Sequence, residues 1–563
     1  MAAATEPTTT PDINFTFNDE QLARLMAWGE VRRHEEGGVL SAFGERCVDM
    51  LVTLSGETHI FIDSPTGPVR RGWMERGQFA GDIAVLTGAA VMARTVMGKG
   101  GEVLHIPFAR FQRLLVEDSE LSDIFVRALT ARRAFAVSTR FGALIVIGAR
   151  YDRQLFALRD FLTRQGAPHT WLDPDTDPLA EPVMDAMALT SADLPAVVLG
   201  AAQVMRQLDV EALAAALGYG VLPEEGEVDV VVVGAGPAGL AASVYAGSEG
   251  LSVVVLDAEA PGGQAGSSSK IENYLGFPTG VSGRELAERA AVQAQKFGVS
   301  LAAPVRAAAL ETRSDGRYGL RMRDGRSLIA RAVVIATGAQ YRRLPLEGLE
   351  ALEGAGIYYG ASALEGQLCA GAEVCVVGAG NSAGQGAVFL ARTAKRVHVI
   401  YRRPDLRETM SEYLVRRLEE TPNITLHPEA EISALHSNDA ARPEDLRLTA
   451  ITLDTPAGPA RLETPFAFLF IGAAPFTGWL PEPVARDTRG FVKTGAALAQ
   501  NELAAAGWHR QRPPSPYETS LERVYAVGDV RAGSVKRVAS AVGEGSVTVS
   551  DIHAALAEMA AGG

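Results

Sequence analysis

The chain has 563 residues, of which 47% are hydrophobic and 21% charged, and its formal net charge is −14 at pH 7. This length is too great for one hydrophobic core, so we expect several domains. The acidic balance argues against the basic surface that nucleic-acid binding requires, and the longest apolar runs are far too short to cross a membrane. We therefore expect a cytoplasmic protein.

The start of the chain reads MAAATEPTTTPDINFTFND and lacks a basic region followed by an apolar core. We expect a disordered lead over residues 1–14 and not a signal peptide. Three cysteines, Cys47, Cys369 and Cys375, are too few for a secreted disulphide framework. No spacing of His and Cys indicates a metal site.

Short alternating segments, separated by turn residues, predict a β-roll with flanking helices over residues 15–142. Its stretch GQFAGDIAVLTGAAVMART resembles the phosphate-binding cassette of cyclic nucleotide-binding domains. Gly81 and Asp82 fall where the family has Gly-Glu, so the resemblance implies that Asp82 binds the ribose 2′-hydroxyl. Val91 stands at the position of the family's phosphate-binding arginine, and Arg94 follows three positions later. Two interpretations stay open, a roll that binds a cyclic nucleotide or another effector and a roll used for interactions alone. The missing arginine favours the second, because an unneutralised buried phosphate is costly.

A strand–helix–strand pattern predicts a compact α/β domain over residues 143–222. The segment ALIVIGARYDRQLFALRDFLTRQGAPHTWLD resembles glutaredoxin- or thioredoxin-type domains, and Leu194-Pro195 stands where such folds have a cis-proline. No cysteine precedes the first helix of this domain. The resemblance therefore implies a scaffold without redox chemistry, for which we expect a docking or interdomain role.

From residue 227 onward, strands alternate with helices and glycine turns, which predicts α/β domains with parallel sheets. The first dinucleotide fingerprint reads VVVVGAGPAGLAASVYAGSEGLSVVVLDAE. Gly234 permits the tight turn, Gly236 lets a pyrophosphate approach, and Gly239 lets the helix pack on the strand. Asp257 ends the second strand, where an acid accepts hydrogen bonds from ribose hydroxyls.

A second fingerprint reads EVCVVGAGNSAGQGAVFLARTAKRVHVIYRRPDLR. Where the first fingerprint has its acid, this one has Tyr401 followed by two arginines. Arginines bind a 2′-phosphate that a carboxylate would repel, so the second site is expected to prefer NADPH to NADH. We assign this site to eight residues: Gly378, Gly380, Asn381, Ser382, Ala383, Arg402, Arg403 and Arg407.

Four further segments, PGGQAGSSSKIENYLGFP, VVIATGAQYRRLP, FLFIGAAP and VYAVGDVRAGSVKRVASAVGEGS, resemble in order the FAD-contacting segments of thioredoxin reductases. The resemblance covers roughly residues 227–560. It implies two Rossmann-like domains, one binding FAD (227–340 and 464–563) and one binding NADPH (341–463). It also implies FAD contacts at Gly263, Gln264, Asn273, Gly338, Gly528, Asp529, Arg537, Val538 and Ala539, with Val538 replacing the family's usual glutamine.

The family's Cys-x-x-Cys begins 17 residues before the position of Gly378, where this chain has Ala361, and its second cysteine falls at Leu364. No catalytic dithiol is therefore assigned. Free cysteines are often small core residues, and we expect Cys369 and Cys375 to be buried ones.

Three functions are compatible with these patterns. The first is an FAD-dependent oxidoreductase that takes hydride from NADPH, from nicotinamide C4 to flavin N5, and passes electrons to a ferredoxin-like protein, a quinone or a similar acceptor. The second is a flavin- or ligand-dependent regulatory protein with little turnover, and the third is a thioredoxin-disulphide reductase. The resemblance also implies a homodimer.

Overall fold

A computed structural model of the chain describes residues 13–65, 67–139, 144–223, 227–268, 270–439 and 446–561. Its contacts divide the chain into two compact units. The first unit contains the described residues up to Ala149, together with Phe161–Val221 and Val292–Gly298, and the second contains Arg150–Asp160, Leu222–Ala291 and the rest of the chain from Val299. Most of the expected lead, residues 1–12, lies outside the described residues.

The first part of the first unit contains two four-stranded antiparallel sheets, with strand orders β1-β8-β3-β6 and β2-β7-β4-β5. Phe17, Phe79, Phe111 and Phe125 fill the core between strands and helices. The strands are β1 (Glu30–His34), β2 (Val39–Ser41), β3 (Met50–Thr53), β4 (Glu57–Ile62), β5 (Val69–Met74), β6 (Phe79–Ala80), β7 (Arg94–Lys99) and β8 (Gly101–Ile106). The helices are α1 (Asp19–Met26), α2 (Ile83–Thr87), α3 (Phe108–Glu117) and α4 (Ser119–Ser138).

The next part of the chain forms a further four-stranded sheet, with strand order β10-β9-β11-β12. Strands β9 and β10 are parallel, and the other two pairings are antiparallel. The Leu194–Pro195 peptide bond is cis. The elements are β9 (Leu144–Ile147), α5 (Arg153–Arg164), β10 (Thr170–Leu172), α6 (Ala180–Ala186), β11 (Ala196–Leu199), β12 (Gln203–Arg206) and α7 (Val210–Ala216). The cyclic nucleotide-binding and glutaredoxin-like resemblances of these two parts stay predictions, as do the domain boundaries.

The second unit contains a seven-stranded sheet with order β15-β14-β13-β18-β17-β16, in which β29 also pairs with β18. Strands β13, β14, β15, β18 and β29 run parallel, and their apolar residues form a buried core. The strands are β13 (Glu227–Val233), β14 (Val253–Leu256), β15 (Ser300–Ala302), β16 (Ala307–Thr312), β17 (Tyr318–Met322), β18 (Ser327–Ile335) and β29 (Val524–Ala526). The helices that accompany this sheet in sequence are α8 (Pro237–Ser248), α9 (Gly263–Gly266), α10 (Gly283–Lys296), α15 (Gln500–Ala505) and α16 (Val538–Ala561).

A five-stranded parallel sheet, β20-β27-β21-β22-β23, forms the other half of the second unit. An antiparallel sheet, β24-β25-β26, shares a hydrophobic core with it, and strands β19 and β28 form a separate antiparallel pair. The strands are β19 (Ala339–Tyr341), β20 (Ile357–Tyr358), β21 (Glu373–Val377), β22 (Arg396–Ile400), β23 (Ile424–His427), β24 (Glu431–Ser437), β25 (Leu448–Thr455), β26 (Gly458–Glu463), β27 (Phe466–Leu469) and β28 (Ala473–Pro475). The helices are α11 (Leu349–Leu352), α12 (Ala363–Leu368), α13 (Asn381–Leu390) and α14 (Glu412–Glu420). The prediction that the chain from residue 227 onward forms α/β structure with parallel strands is confirmed in both halves of the second unit.

In the ranges that the structure describes, none of the helices has both the length and the apolar character needed to cross a membrane.

Candidate functional site

The first fingerprint forms a strand–turn–helix unit at the carboxyl end of β13. Gly236 is the N-cap of α8, so the first N–H groups of this helix point out of the turn. A Cβ atom at Gly239 would lie 1.8 Å from the Gly234 carbonyl oxygen, so only glycine permits this close packing of helix on turn. Asp257 directly follows β14, and its Oδ2 accepts a hydrogen bond of 2.8 Å from the Ala235 N–H. The turn and the acid are thus held together, in the arrangement that a dinucleotide-binding fingerprint predicts.

The loop that carries the Gly-Gly-Gln motif packs against this turn. The Gly262 N–H donates to the Ala235 carbonyl at 2.7 Å, and the side-chain amide of Gln264 donates to the Ala339 carbonyl. Gly338 precedes Ala339 at the exit of β18, with no atom near the position of its missing Cβ. Asn273 lies exposed farther along the loop.

Asp529 lies in the turn after β29 and is half-buried. Burial raises the pKa of its carboxyl group, an effect that Lys536 opposes and Glu544 strengthens. None of the residues that the structure describes donates a hydrogen bond to this carboxylate. A carboxylate of this kind fits a hydroxyl-bearing group such as the ribityl chain of FAD. Arg537, Val538 and Ala539 lie at the start of helix α16, which begins at Val538.

The second fingerprint repeats the unit at the carboxyl end of β21, where Gly380 is the N-cap of α13 and Ala383 is buried in that helix. Asn381 Oδ1 accepts a hydrogen bond of 2.8 Å from the Ser411 N–H, and the Thr409 hydroxyl donates to the Ala379 carbonyl at 2.7 Å. These two bonds fix the segment before α14 against the turn. Ser382 is exposed in the first turn of α13.

The three predicted arginines at this site differ in their partners. Arg403 pairs with Glu408, and Arg407 forms a two-pronged ion pair with Glu419, both N–O distances being 3.0 Å. Arg402 is exposed and forms no ion pair with any residue in the described ranges. Its guanidinium is thus available for a phosphate without the loss of a protein contact.

The positions of the family's two cysteines lie in a closed segment without thiols. Ala361 and Leu364 are 5% and 7% exposed, and Ser362 between them caps helix α12. A Cβ atom at Gly360 would lie 3.6 Å from Ser267 Cβ, so this segment meets the loop that follows Gln264. The dithiol position therefore lies next to the loop that the resemblance places at the flavin ring.

Cys369 and Cys375 are both fully buried and free. Burial raises the pKa of the Cys369 thiol to about 11 and that of the Cys375 thiol to about 12. Because the thiolate is the reactive form, neither residue provides a nucleophile near neutral pH. The expectation that both are core residues is confirmed.

The predicted ligand residues of the roll have protein partners. Asp82 caps helix α2 by accepting from the Ala84 N–H at 2.9 Å, and its Oδ2 lies 3.1 Å from Nε of Arg133. Arg94 forms an ion pair with Asp63 at 3.1 Å. Gly81 directly precedes Asp82, and its carbonyl accepts a hydrogen bond from the Arg132 side chain. A ligand of these residues has to compete with existing ion pairs.

The sequence interpretation missed two further charged groups of the second unit. Glu544 of α16 accepts a hydrogen bond from the Gly528 N–H, and Arg417 of α14 pairs with Glu272. Glu544 could have been identified from the sequence, because it is a single carboxylate among the small residues of VASAVGEGSVTVS. The ion pair joins residues 145 apart and had no sequence signal.

Comparisons with known proteins give a consistent result. A family model described as pyridine nucleotide-disulphide oxidoreductase matches residues 228–545, more than half of the chain. The thioredoxin reductase of Bacillus subtilis (strain 168) is 28% identical over 335 residues, which cover 59% of this chain and 96% of that protein. A Clostridium pasteurianum protein named "34.2 kDa protein in rubredoxin operon" is 28% identical over 334 residues, which cover 58% of this chain and 96% of that protein.

Among solved structures, the crystal structure of T. acidophilum thioredoxin reductase matches with a TM-score of 0.51 and 28% identity, over 59% of this chain and 99% of that one. The residues that the family model matches, 228–545, contain both fingerprints, Asp529 and the Ala361–Leu364 segment. The chain thus belongs to the pyridine nucleotide-disulphide oxidoreductase family, as an enzyme of the thioredoxin reductase type whose cofactors are FAD and NADPH.

Proposed function

We propose that this enzyme oxidises NADPH and delivers the electrons to an external acceptor without an internal dithiol. The observation that carries the proposal is the pair Ala361 and Leu364 at the two cysteine positions. The buried thiols of Cys369 and Cys375, with their raised pKa values, offer no replacement. Electrons then have to leave the enzyme from the flavin itself.

Bound FAD supplies the two-electron chemistry, and the chain's residues supply binding and orientation. The N-termini of α8 and α13 face the phosphates of the two dinucleotides. Asp257 and Asp529 accept hydrogen bonds from hydroxyl groups of FAD, and Gln264 orders the loop beside its ring. Arg402 binds the 2′-phosphate that distinguishes NADPH from NADH.

A small redox protein is the acceptor that we favour. One relative is named for its place in a rubredoxin operon, which supports a protein partner that accepts single electrons. The closed segment at Ala361 and Leu364 contributes no group that could exchange with a disulphide. An effector at the N-terminal roll and a homodimer are further parts of this proposal.

A second candidate is thioredoxin-disulphide reductase activity, which the names of the relatives favour. An enzyme without its own dithiol would have to reduce the partner disulphide directly from the flavin. The two candidates differ in the acceptor that sustains NADPH oxidation.

The experiment is an acceptor panel on the full-length holoenzyme under anaerobic conditions. NADPH oxidation is followed with rubredoxin, ferredoxin, a water-soluble quinone, oxidised thioredoxin and a small aromatic disulphide. Turnover with the first three acceptors and none with the disulphides supports the proposal, and the reverse pattern supports the second candidate. Slow turnover with every acceptor would favour a regulatory protein. The matched control is the Cys47→Ser/Cys369→Ala/Cys375→Ala variant, which retains turnover if no thiol takes part.

A further inference from the structure

One buried carboxylate lies directly behind the turn that carries Asp529. Glu544, in helix α16, is 7% exposed. Its Oε2 accepts hydrogen bonds from the Gly528 N–H at 2.7 Å and from Arg531 Nε at 3.2 Å. Its Oε1 accepts a third from Arg531 Nη2 at 2.5 Å. The carboxylate thus connects the two residues that flank Asp529 and Val530.

Besides Glu544, the turn is held by the Val492 N–H, which donates to the Val530 carbonyl at 3.0 Å, and by Lys536 Nζ, which donates to the Asp529 carbonyl at 3.1 Å. Gly528 has φ +72, and a Cβ atom there would lie 2.9 Å from Ala238 Cβ in helix α8. The Arg531 N–H closes the turn by donating to the Gly528 carbonyl at 3.1 Å. The Gly528 N–H is buried against α16, and without Glu544 it would lose its acceptor.

Helices α8 and α16 pack closely against each other beside Glu544. A Cβ atom at Gly545 would lie 2.1 Å from the Ala238 carbonyl oxygen, so the two backbones touch next to Glu544. Helix α8 is the helix of the first fingerprint. Glu544 therefore lies between the Asp529 turn and the helix that faces the FAD pyrophosphate. One contact region thus positions the protein groups for two neighbouring parts of one ligand, the ribityl chain and the pyrophosphate.

We propose that Glu544 is a positioning residue for FAD, which holds the Gly528–Arg531 turn so that the Asp529 carboxylate meets the flavin's ribityl hydroxyls. This inference rests on the proposed FAD contact of Asp529. A binding group that is displaced by as little as 1 Å loses much of its effect, so the support behind it sets cofactor affinity. Arg531 neutralises the Glu544 charge, and its guanidinium also lies 5.4 Å from the centre of the Tyr517 ring.

The alternative is that Glu544 only stabilises the fold, and the chain offers a matched control for it. Glu518 is fully buried, pairs with Arg512 at 2.6 Å, and accepts hydrogen bonds from the backbone N–H groups of Ser515 and Arg523. It therefore makes the same types of contact as Glu544, but on the segment before β29 and not on the Asp529 turn. Substitutions of both glutamates should lower the melting temperature.

The test measures FAD affinity by following the fluorescence of free FAD as apoprotein is added. The proteins compared are the wild type, Glu544→Ala, Glu544→Gln and Glu518→Ala. We expect a dissociation constant about 10- to 100-fold higher for Glu544→Ala, because a hydrogen bond and an ion pair behind the turn are lost. Glu544→Gln keeps an acceptor for the Gly528 N–H and should recover most of the affinity. Glu518→Ala should bind FAD as the wild type does.

Wild-type affinity in Glu544→Ala, or an equal loss in Glu518→Ala, would overturn the inference. If Glu544→Ala does not fold, Glu544→Asp takes its place, because the shorter side chain keeps the charge and withdraws the acceptor. Wild-type affinity in Glu544→Asp then overturns the inference. A wild-type protein that binds no FAD would instead refute the proposed function, and the role of Glu544 with it.

Discussion

Arg417 Nη1 lies 3.0 Å from Glu272 Oε2, and this ion pair joins the half of the second unit that holds the second fingerprint to the loop that follows the Gly-Gly-Gln motif. Lys270 Nζ lies 3.2 Å from the other oxygen of the same carboxylate. Burial raises the pKa of Glu272, but hydrogen bonds from Lys270 and Arg417 outweigh it, so the net pKa is lowered. Glu272 is therefore ionised at neutral pH and the ion pair is intact.

We expect this ion pair to influence the rate of flavin reduction more than stability. The pair bridges the two halves of the second unit, so a movement of one half against the other during turnover would have to break it. A half-exposed ion pair contributes about 0.2–1 kcal/mol, so Glu272→Gln should speed flavin reduction by NADPH up to about fivefold, as measured by stopped-flow absorbance. Glu285→Gln, which removes a pair within helix α10, should leave the rate unchanged. An unchanged or lower rate in Glu272→Gln would refute the role.

Arg402 should determine the preference for NADPH. Charge-assisted hydrogen bonds contribute about 1.5–3 kcal/mol, so Arg402→Ala should raise the KM for NADPH about 10- to 100-fold and leave the KM for NADH unchanged. Arg396→Ala, at the opposite end of strand β22, is the control and should change neither value. Equal losses for both nucleotides in Arg402→Ala would show that it binds no 2′-phosphate.

Restoring two thiols should restore disulphide chemistry. Ala361→Cys/Leu364→Cys places a dithiol at the family's spacing, in the segment that meets the loop at Ser267. We expect NADPH-dependent reduction of a small aromatic disulphide to appear in the double variant and in neither single variant, since the relay needs both sulphurs. A double variant that binds FAD, is reduced by NADPH and still fails to reduce the disulphide would contradict the assignment of these positions.

A thiol reagent should distinguish the exposed Cys47 from the two buried cysteines. Cys47 is exposed, whereas Cys369 and Cys375 are buried and keep their protons to about pH 11 and 12. Raised thiol pKa values mean that the folded state holds these protons more tightly, so stability is constant below the ordinary thiol pKa and falls as pH rises past it. At pH 8 a thiol reagent should modify about one cysteine in the native protein and all three in denaturant. Rapid modification of a second thiol in the native protein would contradict the burial.

Local spacing predicted the parts of the site that are made by neighbouring residues. Gly239 and Asp257 follow from the fingerprint, because strand, turn and helix lie within one short segment. Glu272 and Arg417 meet only after the two halves of the second unit have packed, so no local pattern indicates them. The same holds for Arg94, whose pairing with Asp63 depends on the register of β4 and β7.

If electrons leave the enzyme without an internal dithiol, an anaerobic titration of the flavin-bound protein with NADPH should detect the flavin as the sole two-electron acceptor. The flavin's visible absorbance is recorded against added NADPH and, separately, NADH. An enzyme whose sole acceptor is its flavin should bleach completely at about one equivalent of NADPH per flavin. Bleaching that needs about two equivalents would reveal a second two-electron acceptor in the chain and refute a dithiol-free route. A bound flavin that NADPH does not reduce would refute the proposed NADPH oxidation.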